Sequence, residues 1–323
     1  MYNAFIKGTG SYVPPKILKN DFFESVGSSD TWIYNTLGIK ERRIVEGETT
    51  SDLASKAGLK AIEDAGLSVL DIDLIIMATA TPDRLAPSSA CFVQEKLGAK
   101  NAVAFDISAV CSGALFATSI GVQFISTGMY KNVLVIGADT FSNIIDWERR
   151  DAVFFGDGAG AIVLSQTTED KGFVEFILHA DGTGKDHFSI PAGGSEQPAS
   201  EESVKNGDHY FQMNGKAVYQ TATEVVPKSI IELLEKNRVS IDAIKYMIPH
   251  QPSIGILKEI AKQVGIPFEK VQTNMDKYAN TSGGTIPIVL DEVLKQESME
   301  PGDLLLFAAV GAGWTWGTAL YKW

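Results

Sequence analysis

Short apolar runs, each followed by a helical pattern, recur through almost the whole of this 323-residue chain. Residues 73–79 (Asp-Leu-Ile-Ile-Met-Ala-Thr) read as a buried strand, and residues 88–97 as a short helix stopped at Gly98. Strands are predicted over 102–108, 132–138 and 160–166, with a helix over 112–128. The second half repeats the scheme. It has a helix over 217–236, a strand over 244–249, helices over 254–263 and 282–296, and a strand over 303–310. Continuous apolar strands separated by helices imply an α/β fold with a mostly parallel sheet covered on both faces. Residues 182–212, rich in Gly, Ser, Glu and Pro, read as a loop that either covers something or is a disordered surface excursion.

An internal repeat accompanies this alternation. Residues 67–78 (Leu-Ser-Val-Leu-Asp-Ile-Asp-Leu-Ile-Ile-Met-Ala) superpose without a gap on residues 239–250 (Val-Ser-Ile-Asp-Ala-Ile-Lys-Tyr-Met-Ile-Pro-His). Residues 132–166 and 304–321 echo each other as well, from Val-Leu-Val-Ile-Gly-Ala and Leu-Leu-Leu-Phe-Ala-Ala onward. A repeat this long points to two fused α/β halves and not to a solenoid.

Charge and cysteine content narrow the function. The net charge is −12, which argues against nucleic acid and anionic membrane as general partners. No stretch approaches the ~20 apolar residues of a membrane span, and the first residues lack the pattern of a secretory signal. The two cysteines, Cys91 and Cys111, do not make a disulfide framework. The expected setting is the reducing cytoplasm, where both thiols stay free.

Several residues can do chemistry. Cys111 lies where a strand gives way to a helix, with small neighbours Ser112, Gly113 and Ala114. The positive end of a helix dipole favours thiolate, so Cys111 is expected to be a nucleophile of lowered pKa. Cys91, in mid-helix, reads as structural. His250, in Pro-His-Gln, ends a strand just before a helix, where α/β active sites gather. Asn280 opens Asn-Thr-Ser-Gly-Gly-Thr-Ile-Pro ahead of another helix. Taken alone, each has an ordinary structural reading: a buried thiol, a satisfied histidine, a capping residue. The segment 311–317 (Gly-Ala-Gly-Trp-Thr-Trp-Gly) can aim a backbone N–H into a site. The segment 155–160 (Phe-Gly-Asp-Gly-Ala-Gly) reads as a tight backbone crossing beside it. No histidine or cysteine pair has metal-ligand spacing, and no dinucleotide glycine pattern opens the first βα unit. No metal or cofactor is expected.

The order of these motifs is more specific than any one of them. Together with Gly-Thr-Gly-Ser-Tyr-Val-Pro at 8–14 and Ser-Asp-Thr-Trp-Ile-Tyr-Asn-Thr-Leu-Gly-Ile at 29–39, the chain resembles the β-ketoacyl-acyl-carrier-protein synthase III family over essentially its whole length. The resemblance implies a thiolase-like α/β fold, two duplicated halves (1–170 and 171–323) in a five-layer αβαβα arrangement, and a homodimer. It implies a triad of Cys111, His250 and Asn280, with the backbone N–H groups of Cys111 and Ala312 as the oxyanion hole. Trp32 and Arg149 match positions that flank the adenine of CoA, Gly215 matches a pantetheine contact, and Phe155 belongs to the substrate site. The implied reaction moves an acyl group from acyl-CoA to Cys111 and condenses it with a malonyl thioester by loss of carbon dioxide. An alternative is a relative that passes the acyl group to a non-malonyl acceptor. A further alternative is a non-catalytic partner subunit.

This sequence departs from the family pattern in places. Thr36 and Gly255 stand where arginine is typical, and Gln220 and Gln263 where lysine is frequent, although Lys262 remains. These changes weaken the case for docking an acyl carrier protein. Ala86 stands at a position that commonly lines the partner subunit's acyl pocket with a large side chain, and implies room for longer or branched acyl groups. With Ala312 in place of a glycine, they point toward a specialised branch.

Overall fold

The computed structural model describes residues 2–323. Its strands are β1 (Asn3–Tyr12), β2 (Lys16–Lys19), β3 (Glu41–Ile44), β4 (Leu74–Ala78), β5 (Val103–Ile107), β6 (Asn132–Asp139), β7 (Gly158–Thr167), β8 (Gly172–Ala180), β9 (Phe188–Ser189), β10 (Gln212–Met213), β11 (Ile244–Pro249), β12 (Leu304–Gly311) and β13 (Thr315–Lys322). Its helices are α1 (Asp30–Leu37), α2 (Thr50–Asp64), α3 (Ser89–Leu97), α4 (Gly113–Ser126), α5 (Glu201–Lys205), α6 (Gly215–Asn237), α7 (Ile254–Val264), α8 (Met275–Tyr278) and α9 (Thr285–Gln296).

Two large sheets carry the core, ordered β1-β7-β6-β4-β5 and β8-β13-β12-β11. In the first, β4 pairs parallel with β5 and β6, while β7 pairs antiparallel with β6 and β1. In the second, β11 pairs parallel with β12, and β13 pairs antiparallel with both its neighbours. Both sheets are thus mixed, which corrects the mostly parallel sheet expected from the sequence. The chain turns from β12 straight into β13 through residues 312–314, and so short a link joins only antiparallel strands. A strand buried on both faces carries the same apolar run in either direction, so the pattern alone could not distinguish them.

The layers follow from which faces are apolar. α4 (Gly-Ala-Leu-Phe-Ala-Thr-Ser-Ile-Gly-Val-Gln-Phe-Ile-Ser) is apolar nearly all round, as a helix buried on every side must be. With α9 it forms a central layer. Leu115, Ile125, Ile286 and Leu290 there pack on Leu74 and Ile76 of one sheet and on Leu305 and Phe307 of the other. The opposite face of the first sheet, with Ile75 and Met77, is covered by α2 and α3 through Leu53, Ala57, Ala61 and Val93. The outer face of the second, with Met247 and Leu306, is covered by α6 and α7 through Val226, Ile230, Leu257 and Ile260. This gives five layers.

The repeat is visible in detail. The offset that relates Leu67 to Val239 also relates the starts of β6 and β12, of α4 and α9, and of the 3-10 turns Val110–Ser112 and Ser282–Gly284. Ser68 and Ser240 cap equivalent turns, each accepting an N–H at 3.3 Å, from Leu70 and Asp242 respectively. The first four strands of the first sheet and the four of the second have the same order and the same sequence of antiparallel, antiparallel and parallel pairings. A lone parallel bridge from Val271 to Met247 occupies the place that β5 fills in the first half.

Glycines let the halves meet. A Cβ on Gly137 of β6 would collide with the Gly283 carbonyl, and one on Gly160 of β7 with the Ile288 amide. Both contacts bring the first sheet against the start of α9. The two turns that open α4 and α9 therefore face each other at the centre of the molecule.

Candidate active site

Cys111 sits in the 3-10 turn Val110–Ser112 that leads into α4, and its side chain is buried. Gly311, the last residue of β12, crosses directly over this turn. A Cβ there would lie 3.1 Å from the Cys111 amide nitrogen and 2.8 Å from that of Ser112. Ala312 follows and lines the same cavity. Only glycine at 311 lets the strand end approach the backbone N–H groups of the Cys111 turn this closely.

Burial reverses the expected electrostatics of the thiol. Desolvation pushes Cys111 up to about 12, and the buried Asp139 carboxylate adds to the rise, while bonds from Ser282 and Asn280 oppose it. A helix N-terminus contributes at most ~2 kcal/mol, about 1.5 pH units. Desolvation and the helix start thus act in opposite directions on the Cys111 thiol, and desolvation is the larger of the two.

Asn280 is held by backbone on both sides. Its N–H donates to the Phe154 carbonyl at 3.1 Å, and its own carbonyl accepts from Gly156 at 3.1 Å. Its side-chain Oδ1 accepts the Ser282 N–H at 2.8 Å. With the oxygen so occupied, the Nδ2 amide is the edge left to donate, and it does so toward Cys111. Gly156 makes this pairing sterically feasible, since a Cβ there would strike the Tyr278 carbonyl. The glycine-rich segment 155–160 is thus a backbone crossing beside the site.

His250 follows β11, with its N–H on the Ala308 carbonyl at 2.8 Å and its Nδ1 2.8 Å from Thr285 Oγ1. Burial draws the imidazole down to about 3, so it is neutral at ordinary pH. Gln251 pins the turn after it. Its Nε2 donates to the Pro249 and Gln272 carbonyls at 3.0 and 3.1 Å, and its Oε1 accepts the Asn274 N–H at 3.2 Å. Ser282 Oγ lies 3.7 Å from Cys111 Sγ. Non-glycine residues with left-handed φ among those described are Val110, Ala279, Ser282 and Arg238. Three of these four flank Cys111, Asn280 and Gly283, so local backbone strain concentrates at this centre.

Cys111, His250 and Asn280 open on one cavity of about 320 Å³. Phe154, Phe155, Phe188, Met213, Tyr219 and Trp314 make its walls mainly apolar, and Gly215, Thr36 and Gly255 also line it. The 182–212 segment does cover something: it supplies β9 and, with β10, a small antiparallel ribbon that brings Phe188 and Met213 onto the cavity. Of the lining residues, the sequence had singled out Phe155, Gly215, Ala312, Thr36 and Gly255, and Trp314 lies within the 311–317 motif. Phe154, Phe188, Met213 and Tyr219 carried no local signal.

The remaining expected residues fall outside the cavity. Trp32 is one turn before Thr36 on α1 and so stands beside the mouth. Its ring is covered by the guanidinium of Arg150, 4.4 Å from the ring centroid. Arg149 is turned elsewhere, to Asp151 at 2.6 Å and the Phe211 carbonyl at 3.4 Å. Arg150 is therefore the arginine that covers Trp32 here, while Arg149 lies next to it in the chain with its guanidinium on Asp151. Ala86 lies on an exposed loop beside Leu85 and contributes nothing to the cavity of its own chain. Cys91 is half-buried, 3.2 Å from Ser88 Oγ on the far side of β5. No cluster of potential metal ligands exists among the described residues.

Comparison with known proteins agrees with this geometry. Residues 105–182 match the family described as 3-oxoacyl-[acyl-carrier-protein] synthase III, and residues 234–323 match its C-terminal family. The chain is 47% identical over 323 residues to a β-ketoacyl-[acyl-carrier-protein] synthase III of Caldanaerobacter subterraneus, covering 99% of this chain and 98% of that protein. It superposes on the crystal structure of 3-oxoacyl-[acyl-carrier-protein] synthase III from Aquifex aeolicus with a TM-score of 0.91 and 40% identity, over 99% of this chain and 100% of that one. The priming β-ketosynthase of the R1128 polyketide pathway gives the same TM-score of 0.91 at 27% identity, over 99% of this chain and 96% of that one.

Proposed function

This chain belongs to the 3-oxoacyl-[acyl-carrier-protein] synthase III family, and from that premise we propose how its own residues divide the work of a condensing enzyme. The observation that carries the proposal is the convergence of Cys111, His250 and Asn280, each from a different element, on one apolar cavity. In the first half-reaction the Cys111 sulfur attacks the carbonyl of an acyl-CoA thioester. The thiol proton leaves with the CoA thiolate, and the backbone N–H groups of Cys111 and Ala312 hold the oxyanion. In the second, a malonyl thioester takes the place of CoA. His250 and the Asn280 amide donate to its thioester carbonyl, carbon dioxide leaves, and the enolate so formed attacks acyl-Cys111. The product is a β-ketoacyl thioester, and the released sulfur anion regains a proton. A donor aimed at developing charge in so dry a site is worth roughly 3 kcal/mol.

Transfer to a non-malonyl acceptor is not favoured, because simple acyl transfer has no use for the donor edge of Asn280. A partner subunit without chemistry has no use for any of the three residues. The 47% identity to a β-ketoacyl synthase, against 27% to the polyketide priming enzyme, supports fatty-acid synthesis over the specialised branch. Intact-mass measurement after mixing with acyl-CoA, followed by a malonyl-thioester chase, tests the whole scheme. An adduct that forms on Cys111 and is not discharged by the chase overturns it.

For the donor, the Trp32–Arg150 pair supports an adenine site at the mouth, with Gly215 beside the pantetheine. Arg150→Ala is expected to raise KM for acyl-CoA by roughly three- to tenfold, the worth of one cation–π partner, and Arg149→Ala to have the smaller effect. Steady-state kinetics on both variants checks the order.

For the carrier, Thr36 and Gly255 line the mouth without charge, and the host is itself acidic. We expect weak salt dependence of kcat/KM with a carrier-bound malonyl group, since rim charges act mainly on association. A rate that collapses as salt rises would reveal a basic docking surface elsewhere.

The division into halves at 1–170 and 171–323 is supported by the common offset of the repeated elements. A homodimer is supported by β5, a sheet edge with Val103 exposed and Phe105 and Ile107 half-buried. Ala86 would then serve the partner's pocket, and sedimentation of a single monomeric species would remove that reading. No helix among the described residues is long and apolar enough to cross a membrane.

A further inference from the structure

Arg42, in β3, is fully buried, and none of its hydrogen bonds among the described residues goes to a carboxylate. Its Nη1 donates to the Leu18 carbonyl at 3.2 Å and to Asn20 Oδ1 at 2.9 Å, and its Nη2 to the Val153 carbonyl at 3.0 Å. The guanidinium lies over the Phe23 ring, 4.5 Å from its centroid. Its Nε has no partner. Burial draws the group down to about 10, which leaves it charged at neutral pH. Replacing a buried ionic group by well-packed apolar atoms is often neutral or stabilising, so stability alone does not account for this one. What the cation supplies is a planar fork whose donors point in fixed directions.

The fork reaches both sides of the cavity mouth. Val153 belongs to the 3-10 turn Arg150–Phe154, which begins with the arginine that covers Trp32 and ends with a cavity wall. Asn20 passes the other arm on. Its Nδ2 donates to Asp30 Oδ1 at 2.8 Å and to the Ile39 carbonyl at 2.7 Å. Asp30 opens α1 and Ile39 follows its end, so this one amide fixes the helix that carries Trp32 and Thr36. Trp32 is half-buried and Arg150 exposed. An adenine ring stacked on either of them takes the place of their contact with each other. The backbone under each must then be held by something else, and the Arg42 guanidinium is bonded to both.

We propose that Arg42 and Asn20 are positioning residues that fix the spacing of Trp32 and Arg150, and so set the affinity for acyl donors that carry adenine. The inference rests on the adenine reading above and deepens it. Both residues are buried, and neither lines the cavity.

The test compares acyl-CoA with the same acyl group on pantetheine, which has the reacting end and no adenine. Arg42→Lys keeps the charge and loses the fork. It is expected to raise KM for acyl-CoA by roughly three- to tenfold, the scale of a lost cation–π partner, with kcat little changed. Its kcat/KM for acyl-pantetheine should stay within roughly twofold of the unaltered protein. Asn20→Ala cuts only the arm to α1 and should give the same pattern; it decides the question alone if the lysine variant does not fold. Arg150→Ala placed on Arg42→Lys should add less than about twofold, because the two changes remove the same contact. Equal losses with both donors would mark a purely structural role and overturn the proposal. So would full additivity with Arg150→Ala, or an unchanged KM for acyl-CoA. An unaltered protein that uses acyl-pantetheine as well as acyl-CoA would instead overturn the adenine site itself, and the proposal with it.

Discussion

Cys111→Ala leaves no covalent acyl adduct after incubation with acyl-CoA, and condensation falls by on the order of 10⁶-fold, the scale for removing a nucleophile from a concerted site. Cys91→Ala keeps the adduct, because that thiol packs against Ser88 and does not line the cavity. Intact-mass spectrometry separates the two variants in one experiment. An adduct on Cys111→Ala, at any residue, removes the assignment. The cysteine's environment adds a second sign. Burial pushes the thiol up to about 12, so alkylation of the free enzyme by a neutral reagent should keep rising with pH through pH 9. A plateau near pH 7 would mean that the resting sulfur is already an anion.

His250→Ala and Asn280→Ala split the reaction at its midpoint. Both variants still load Cys111, since neither side chain is needed for the first oxyanion. Each loses malonyl decarboxylation by roughly 10²- to 10³-fold, as for the removal of one oxyanion donor. Asn280→Asp is the sharper companion. It retains an acceptor for the Ser282 N–H but replaces the donating edge with a carboxylate oxygen. If Asn280→Ala condenses at the normal rate, the enolate role falls and the acyl-transfer alternative returns. The pH response should be asymmetric. His250 is held neutral with its pKa drawn down to about 3 from 6.5. Its burial therefore stabilises the fold in full above pH 6.5, and that contribution drains away as the pH falls toward 3.

The alternation of elements was legible because burial on both faces of a strand writes a continuous apolar run. Strand direction was not, for the same reason: β7 and β13 look like β4 although they run the other way. The three principal site residues were legible through the order of their motifs. Their environment was not. The thiol's burial is made by Gly311 and Ser282, both far away in the chain. Arg149 and Arg150 are adjacent, and only the path of the backbone into the 3-10 turn Arg150–Phe154 decides which meets Trp32. Gln251 and Thr285 sat inside motifs already noted. A polar side chain whose task is to satisfy a neighbour's nitrogen or carbonyl leaves no mark in composition or spacing. The burial of Cys111 was not legible because a helix start is a local cue, whereas desolvation is a property of the whole centre.

The repeat gives this chain two copies of the same central turn. By the offset that relates the two turns, Gly283 occupies the place of Cys111, and Asp139 that of Gly311. In the first copy, Gly311 passes over the Cys111 amide and leaves room for a passing oxyanion. In the other, the Gly283 amide donates to Asp139 Oδ2 at 3.0 Å, and Ala80 and Thr81 donate to Oδ1 at 2.7 and 3.1 Å. The second copy fills its cradle with a side chain of the same protein, and burial pushes the Asp139 carboxyl up. One turn opens on the cavity, and its twin is a clamp that fastens the two halves together.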